Sequence, residues 1–507
     1  MANQLGKIQH IVQVMLENRS LDHMLGYLYA ASGNISPAGQ PFDGLTGDES
    51  NPDGTGRSVA VYAIQADDPQ PYLMPGADPG EGFLNTNSQL FSTDEPAAGT
   101  TPTNQGFVTN FKAAVASDLA RHYSDTLPGT QPSQIMGMYT PELLPILSGL
   151  ASGYAVCDRW FASVPTMTMP NRAFAAAATS QGHLDDTPKT YTCPTIFGRL
   201  SDKGLDWAIY GYDADPLTRA TFPDTTAAAD SHFGQFSDFQ RRAAAGTLPV
   251  YTFLEPSWDA SGNSQHPNYD VARGEQFLHD IYVALRGNAA AWNSTLLIIT
   301  YDEHGGNYDH VAPPANATPP GDGTVGEHGF DFTRFGLRVP AVLVSPLIAA
   351  GTVFRGSGPI DHTSVLSTIA ARWGTAPLTN RDRNAATLGD VLTLATPRTD
   401  DPLSGVLPPV STVAPPNPSR PTRLDKVRAA LVAALPVRNA HGHYPEDVTP
   451  PSFASASDLS DFVRDRTAAW KEHVRRRSRQ QGAAGDPAGG HSVKAGAAAR
   501  EHRSRRR

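Results

Sequence analysis

Apolar positions in this chain fall into short runs whose period changes along its length. Residues 8–16 (IQHIVQVML) are dominated by β-branched and other apolar side chains, which predicts a strand, and a helix is predicted over 20–29. Further strands are predicted over 207–210, 250–254, 295–300 (TLLIIT) and 341–344. Helical patterns cover 141–152, 274–285, 363–373 and the alanine-rich 170–180, which starts with a proline suited to a first helical turn. Strands alternating with helices over this length predict an α/β fold with a mostly parallel central sheet and helices on both faces. In such sheets, chemistry collects in the loops at the C-terminal strand ends.

Between 32 and 130 the chain is rich in Gly, Pro, Asn and Asp, which predicts a long excursion with little regular structure, placed to cover a site. A proline-rich connector, expected to be extended and poorly packed, follows Arg398. The expected organisation is a catalytic domain over 1–398, a linker over 399–423, a small helical segment over 424–477 (helices 424–435 and 457–475) and a disordered basic tail over 478–507. No internal repeat is visible.

Composition refines this picture. The 507 residues are long enough for one large α/β domain and an appendage, and 45 Gly with 43 Pro fit elements joined by long, shaped loops. The net charge is -10 although 475–477 and 505–507 are all arginine, so the body is more acidic than the total suggests. That argues against a nucleic-acid-binding core, and no specific nucleic-acid partner is expected. The opening residues lack the pattern of an export signal, and no apolar run reaches the ~18 residues of a membrane span. The expectation is a soluble protein, cytoplasmic as written or secreted if the N-terminus has been trimmed. Cys157 and Cys193 are the only cysteines, which excludes a Cys-rich zinc site and fits two reduced thiols.

Three polar clusters follow predicted strands or precede a helix. The first, Glu17-Asn18-Arg19-Ser20-Leu21-Asp22-His23, ends the first strand; Asn18 or Ser20 would suffice to cap the next helix, but capping does not require Glu17. The second runs from Tyr301 to His310 after TLLIIT. Its adjacent carboxylates, Asp302 and Glu303, repel each other unless a cation or proton intervenes, and Gly305 and Gly306 allow a sharp turn. Glu17, Asn18, Asp302 and Glu303 together would make an oxygen-rich cage. The third cluster places Thr168 at the start of the alanine-rich helix, where backbone N–H groups favour an anion such as phosphate; a simple threonine cap would occupy the same position. His266, His328 and His362 sit in polar loop settings.

These segments resemble the bacterial and plant phosphoesterases that include non-specific phospholipases C and a respiratory-burst-inhibiting acid phosphatase. HIVQVMLENRSLDHMLGYL is similar to the family's ENRSFDHMLG opening, with Leu21 in place of phenylalanine. FASVPTMTMPNRAFAAAATSQG resembles its Pro-Thr-x-Pro-Asn-Arg segment, and DEHGGNYDHVAPP its DEHGG-x-YDHV-x-PP; FTRFGLRVPAVLVSPLI and DHTSVLSTI also match. The motifs run in the family's order over residues 8–373.

The resemblance implies an alkaline-phosphatase-like fold. It places Glu17, Asn18, Asp302 and Glu303 on metal-binding positions and Thr168 on the hydroxyl nucleophile. It also places His266, His304 and His362 in motifs that hold phosphate oxygens or move protons, and Asn171 and Arg172 at the substrate. Where the family often has Gly-Pro before the nucleophile, this chain has Thr166-Met167, which makes Thr166 a rival.

The expected cofactor is one divalent metal ion, with Mg²⁺, Ca²⁺, Mn²⁺ and Zn²⁺ all open. The expected reaction is phospholipase C-type cleavage of a phospholipid head group through a phosphothreonine, with peripheral membrane contact. An acid-phosphatase-type monoesterase acting on small phosphate esters is the alternative, and a non-catalytic binding protein on the same fold a further one. A sulfatase is disfavoured because the chain lacks a Cys-x-Pro-x-Arg segment.

Overall fold

The computed structural model describes residues 3–120, 126–187, 189–258, 262–411, 420–421, 423–435, 437 and 450–484. Its centre is an eight-stranded sheet built from β1 (His10–Leu16), β2 (Ala155–Val156), β3 (Trp207–Gly211), β4 (Phe233–Gln235), β5 (Tyr251–Glu255), β6 (Thr295–Tyr301), β7 (Ala341–Val344) and β8 (Thr352–Val353). The order across the sheet is β8-β2-β7-β6-β1-β5-β3-β4. All neighbours are parallel except β7, which runs antiparallel to both β6 and β2. β1 lies between β5 and β6, and all of its residues but His10 are buried, as are all of β6. Continuous burial requires cover on both faces, which explains why these strands read as unbroken apolar runs. One helical group comprises Pro145–Gly153, Phe236–Ala245 and Val271–Arg286, and another comprises Thr168–Ala177, Thr363–Trp373 and Asn380–Asn384.

Three expectations need correction. The helix expected over 20–29 is a single turn, Leu21–Leu25, after which Gly26 packs so close to Asp22 and Leu45 that a Cβ there would stand 2.5 Å from Asp22 O. The 32–130 segment is more ordered than its composition suggests. It holds helices Phe83–Phe91 and Phe107–Ala120 and contributes Leu90, Phe107, Val108 and Phe111 to a separate apolar cluster. The first of these helices buries Thr86, Asn87 and Gln89, so its inward face does not look apolar in the sequence. The packed body also continues beyond Arg398: Leu403 is buried in the main core, and Asp401 accepts a hydrogen bond from Tyr282 Oη at 2.8 Å.

Beyond the connector, Arg423–Ala433 and Ala456–Ala484 pack together and onto the body, where Trp470 is buried against the Arg219 guanidinium at 4.6 Å. The second helix runs into the segment expected to be tail, while 485–507 and most of 412–422 lie outside the described residues. Cys157 and Cys193 are free thiols. Among the described residues, no helix is long and apolar enough to cross a membrane.

Candidate active site

β1 and β6 are parallel with Leu16 opposite Tyr301, so the residues leaving the two strands emerge side by side. The Asn18 amide donates to Asp302 Oδ1 at 3.0 Å, and Asn18 itself has a positive φ of 56°. Gly305 (φ +61°) closes the junction from the other motif; a Cβ there would lie 1.9 Å from Asn18 O. Asn307 Nδ2 donates to Asn18 O at 3.0 Å and to His304 O at 3.1 Å, tying the segments together. The remaining polar residues of the first motif have structural work. Arg19 donates to the carbonyls of Gln265, His266 and Met74 at 2.6, 2.9 and 2.6 Å, and so fixes the His266 loop. Ser20 caps the short helix by accepting from His23 N and also donates to Tyr308 O. Asp22 joins Asp309 and His310 around Arg338.

Thr168 opens the helix Thr168–Ala177 and is fully buried, with its Oγ1 donating to Asn18 Oδ1 at 3.1 Å. It does not cap: Asp186 accepts from Met169 N at 2.7 Å, so a protein carboxylate occupies part of the helix terminus expected to face an anion. Thr166, the rival, donates to Leu184 O at 2.5 Å. Asn171 accepts from Val164 N and donates to the carbonyls of Val164, Thr166 and Met167, so its amide is committed to shaping this loop rather than to substrate. Arg172 Nε pairs with Asp302 Oδ2 at 2.9 Å, Nη2 donates to Met15 O and Leu16 O, and the Trp258 ring lies 4.4 Å from its guanidinium. Its Nη1 is buried and lacks a hydrogen-bond partner.

Glu17, Asn18, Asp302 and Glu303 are all fully buried. Burial, then the Asp302 charge, push the Glu17 carboxyl well above its ordinary range; burial, then Glu81, do the same to Glu303. Asp302 is also raised by burial, with Arg172 opposing. Both carboxylate oxygens of Glu17 and Oε1 of Glu303 are buried outside normal hydrogen-bond geometry with any partner. Buried carboxylates that raise one another in this way are stable only if protonated or neutralised by a cation, and an all-oxygen donor set of this kind suits a hard divalent ion. The residues present therefore fit a metal. The other acidic group, Asp22, Asp309 and His310, already surrounds a cation, since Arg338 reaches Asp22 at 2.8 Å and Asp309 at 2.9 Å.

The three candidate histidines differ. His362 Nδ1 faces the Trp160 indole N–H at 3.3 Å and Nε2 faces Asp302 O at 2.7 Å; burial holds it down to about 4. His304 Nε2 meets Gln89 Oε1 at 2.7 Å and Nδ1 lies 3.2 Å from Glu303; burial holds it down to about 3. Both rings thus have two engaged nitrogens and brace Asp302 and Glu303, in place of the expected contact with phosphate or a moving proton. His266 is different: Nδ1 faces Pro267 O at 3.0 Å, and Nε2 points toward half-exposed Asp78 at 3.8 Å. His328 stacks on Phe83, away from these contacts.

Sequence reasoning missed Glu81, Asp78, Gln89 and Asp186. Asp78, Glu81 and His266 bring ligand atoms within 4.8 Å of one another, and Glu81 accepts a short hydrogen bond from Asn18 Nδ2. The available signal was slight: an acidic residue between Gly80 and Gly82 in an irregular stretch.

The model of the Phosphoesterase family matches residues 8–376. The chain is 34% identical over 464 residues to a protein named non-specific phospholipase C6 from Arabidopsis thaliana, covering 87% of this chain and 83% of that one. It is 30% identical over 479 residues to phospholipase C B of Mycobacterium tuberculosis (strain ATCC 25618 / H37Rv), covering 85% and 83%. Among solved structures, the phosphonate monoester hydrolase of Agrobacterium radiobacter is similar with a TM-score of 0.30 and 15% identity, over 49% of this chain and 72% of that one, a likeness too slight to bear on fold or chemistry.

Proposed function

The chain belongs to the phosphoesterase family and is a hydrolase acting on phosphate esters, and from that premise we propose a phospholipase C-type phosphodiesterase that requires a divalent metal ion and uses Thr168 as nucleophile. The observation that carries the proposal is the Thr168 hydroxyl, buried and 3.1 Å from Asn18 Oδ1, the residue whose backbone N–H holds Asp302, while the Thr166 hydroxyl is engaged elsewhere. The relatives named phospholipase C favour a phospholipid over a soluble monoester, and such a substrate brings peripheral contact with a lipid surface.

Glu17, Asn18, Asp302 and Glu303 would hold the metal. When bound, it supplies positive charge that offsets the carboxylates and phosphate and lowers the cost of forming the threonine alkoxide. Thr168 Oγ1 releases its proton to solvent and bonds to phosphorus as the bond from phosphorus to the lipid alcohol breaks. His266 protonates the departing oxygen, with Asp78 linking its Nε2 to solvent. The free Nη1 of Arg172 donates to a phosphate oxygen. Water then cleaves the phosphothreonine ester and restores the hydroxyl. Asn171 holds the loop, His304 the Glu303 carboxylate and His362 the Asp302 backbone in place.

The test is hydrolysis of phosphatidylcholine and para-nitrophenyl phosphate side by side with added Mg²⁺, Ca²⁺, Mn²⁺ or Zn²⁺, for wild type and Thr168→Ala. Diacylglycerol release that falls at least about 10³-fold in the variant is expected. Release of nitrophenol alone would favour the monoesterase, and full activity in Thr168→Ala would overturn the nucleophile assignment.

A further inference from the structure

We infer that Glu81 is a positioning residue that determines which way the Asn18 side chain faces and so directs its oxygen at Thr168. The inference rests on Thr168 being the nucleophile and adds the group that orients its partner.

Glu81 is buried and accepts a hydrogen bond from Asn18 Nδ2. An asparagine amide has one accepting and one donating end, and here the donating end meets Glu81 Oε2, which accepts. With Glu81 on one side, the NH₂ group must face it, and Oδ1 is left facing Thr168 Oγ1 at 3.1 Å. The flipped amide would oppose Oδ1 to a Glu81 oxygen and present an N–H group to the threonine. The same orientation turns the Asn18 oxygen, the atom suited to a hard cation, away from Glu81.

Glu81 is itself firmly placed. Gln89 Nε2 donates to Gly80 O at 2.5 Å while its Oε1 meets His304 Nε2 at 2.7 Å, binding the 78–82 segment to the second motif. Gly306 fits against this segment because it has no side chain; a Cβ there would lie 2.6 Å from Gly80 O. The helix Phe83–Phe91 begins immediately afterwards, with Thr86 N bonded to Gly82 O at 2.8 Å. The excursion that covers the site thus also delivers a side chain into it.

The test compares Glu81→Gln, Asn18→Asp and the double variant. Readouts are kcat and KM on phosphatidylcholine with Mn²⁺, the Mn²⁺ dissociation constant by calorimetry, and Tm. In Glu81→Gln the neighbouring amide is free to flip, so kcat and Mn²⁺ affinity should each fall about 10- to 100-fold with KM little changed. Asn18→Asp alone sets two carboxylates against each other and should lose more kcat. The double variant keeps the wild-type net charge and reverses the pair, with the new amide donating to the new carboxylate. It should regain at least about 10-fold in kcat over Asn18→Asp and return Mn²⁺ affinity to within about 10-fold of wild type. Unchanged kcat and Mn²⁺ affinity in Glu81→Gln would overturn the inference, as would a double variant whose losses equal the product of the two singles at unchanged Tm. Should wild type hydrolyse no phosphate ester, the Thr168 reading fails, and the calorimetric series still decides whether Glu81 orients Asn18.

Discussion

Replacing Arg338 by methionine would test how the two acidic motifs are held together. Arg338 is fully buried and donates to Asp309 Oδ1 at 2.9 Å, Asp22 Oδ1 at 2.8 Å, Asp43 O at 2.8 Å and Asp158 O at 3.2 Å, with His310 Nδ1 at 3.3 Å from its Nη2. Burial already raises the Asp309 carboxyl to about 6, with Arg338 opposing that rise and Asp22 adding to it. Methionine has similar bulk, so the change removes the charge and its donors without opening a large cavity. Removing Arg338 leaves Asp309 without its cation, with only protonated His310 beside Asp22 at 2.7 Å, and should cost about 3–5 kcal/mol. Urea titration followed by tryptophan fluorescence would measure this, and adding Asp22→Asn and Asp309→Asn to the variant should recover part of it. A loss below about 1 kcal/mol would refute the reasoning. Full recovery of stability by Mn²⁺ would also refute it, because Asp22, Asp309 and His310 would then be acting as a metal site.

Three other outcomes follow from the same structure. Burial opposes charge on His310, but Asp22 at 2.7 Å and Asp43 at 3.4 Å outweigh it and hold the imidazole up to about 10. Its folded value lies above its unfolded value, so its stabilisation is complete below about pH 6.5 and is lost as pH rises through about 10; Tm should decline across that window in wild type and less steeply in His310→Asn. In Glu17→Gln, removal of an unneutralised buried carboxylate should raise Tm in chelator while weakening metal binding. Wild type at 100 times its Kd for Mn²⁺ should gain about 2.7 kcal/mol, and a variant binding 100-fold more weakly about 0.4 kcal/mol at the same concentration, read by thermal shift. Gly305→Ala sets a Cβ 1.9 Å from Asn18 O at a positive φ and should lower kcat/KM by about 100-fold or more, whereas Gly358→Ala, with nothing within 4 Å, should be neutral in the same assay.

Much of the sheet was legible because strands buried on both faces must be apolar throughout. TLLIIT and residues 341–344 could hardly be anything else, and the helix Thr363–Trp373 carries a clear apolar stripe. The parallel register of β1 and β6 then explains why Glu17–Asn18 and Asp302–Glu303, far apart in sequence, meet at one strand end. What stayed hidden depends on tertiary context. Gln89 and Thr86 are polar residues on a buried helix face, and Glu81 gains significance from Asn18, which no local pattern could place beside it. The histidines were recognisable as candidates, but a ring that donates to a substrate and one that braces a carboxylate have the same local sequence. The contacts of His304 with Gln89 and of His362 with Trp160 distinguish them only in three dimensions.

The central claim, hydrolysis through a covalent bond between Thr168 and phosphorus, is tested most directly by stereochemistry. A phosphorothioate analogue of phosphatidylcholine, chiral at phosphorus, would be hydrolysed in ¹⁸O-labelled water and the configuration of the product determined. Two successive in-line displacements, first by Thr168 and then by water, predict overall retention. Inversion would mean a single direct attack by water and would contradict the account.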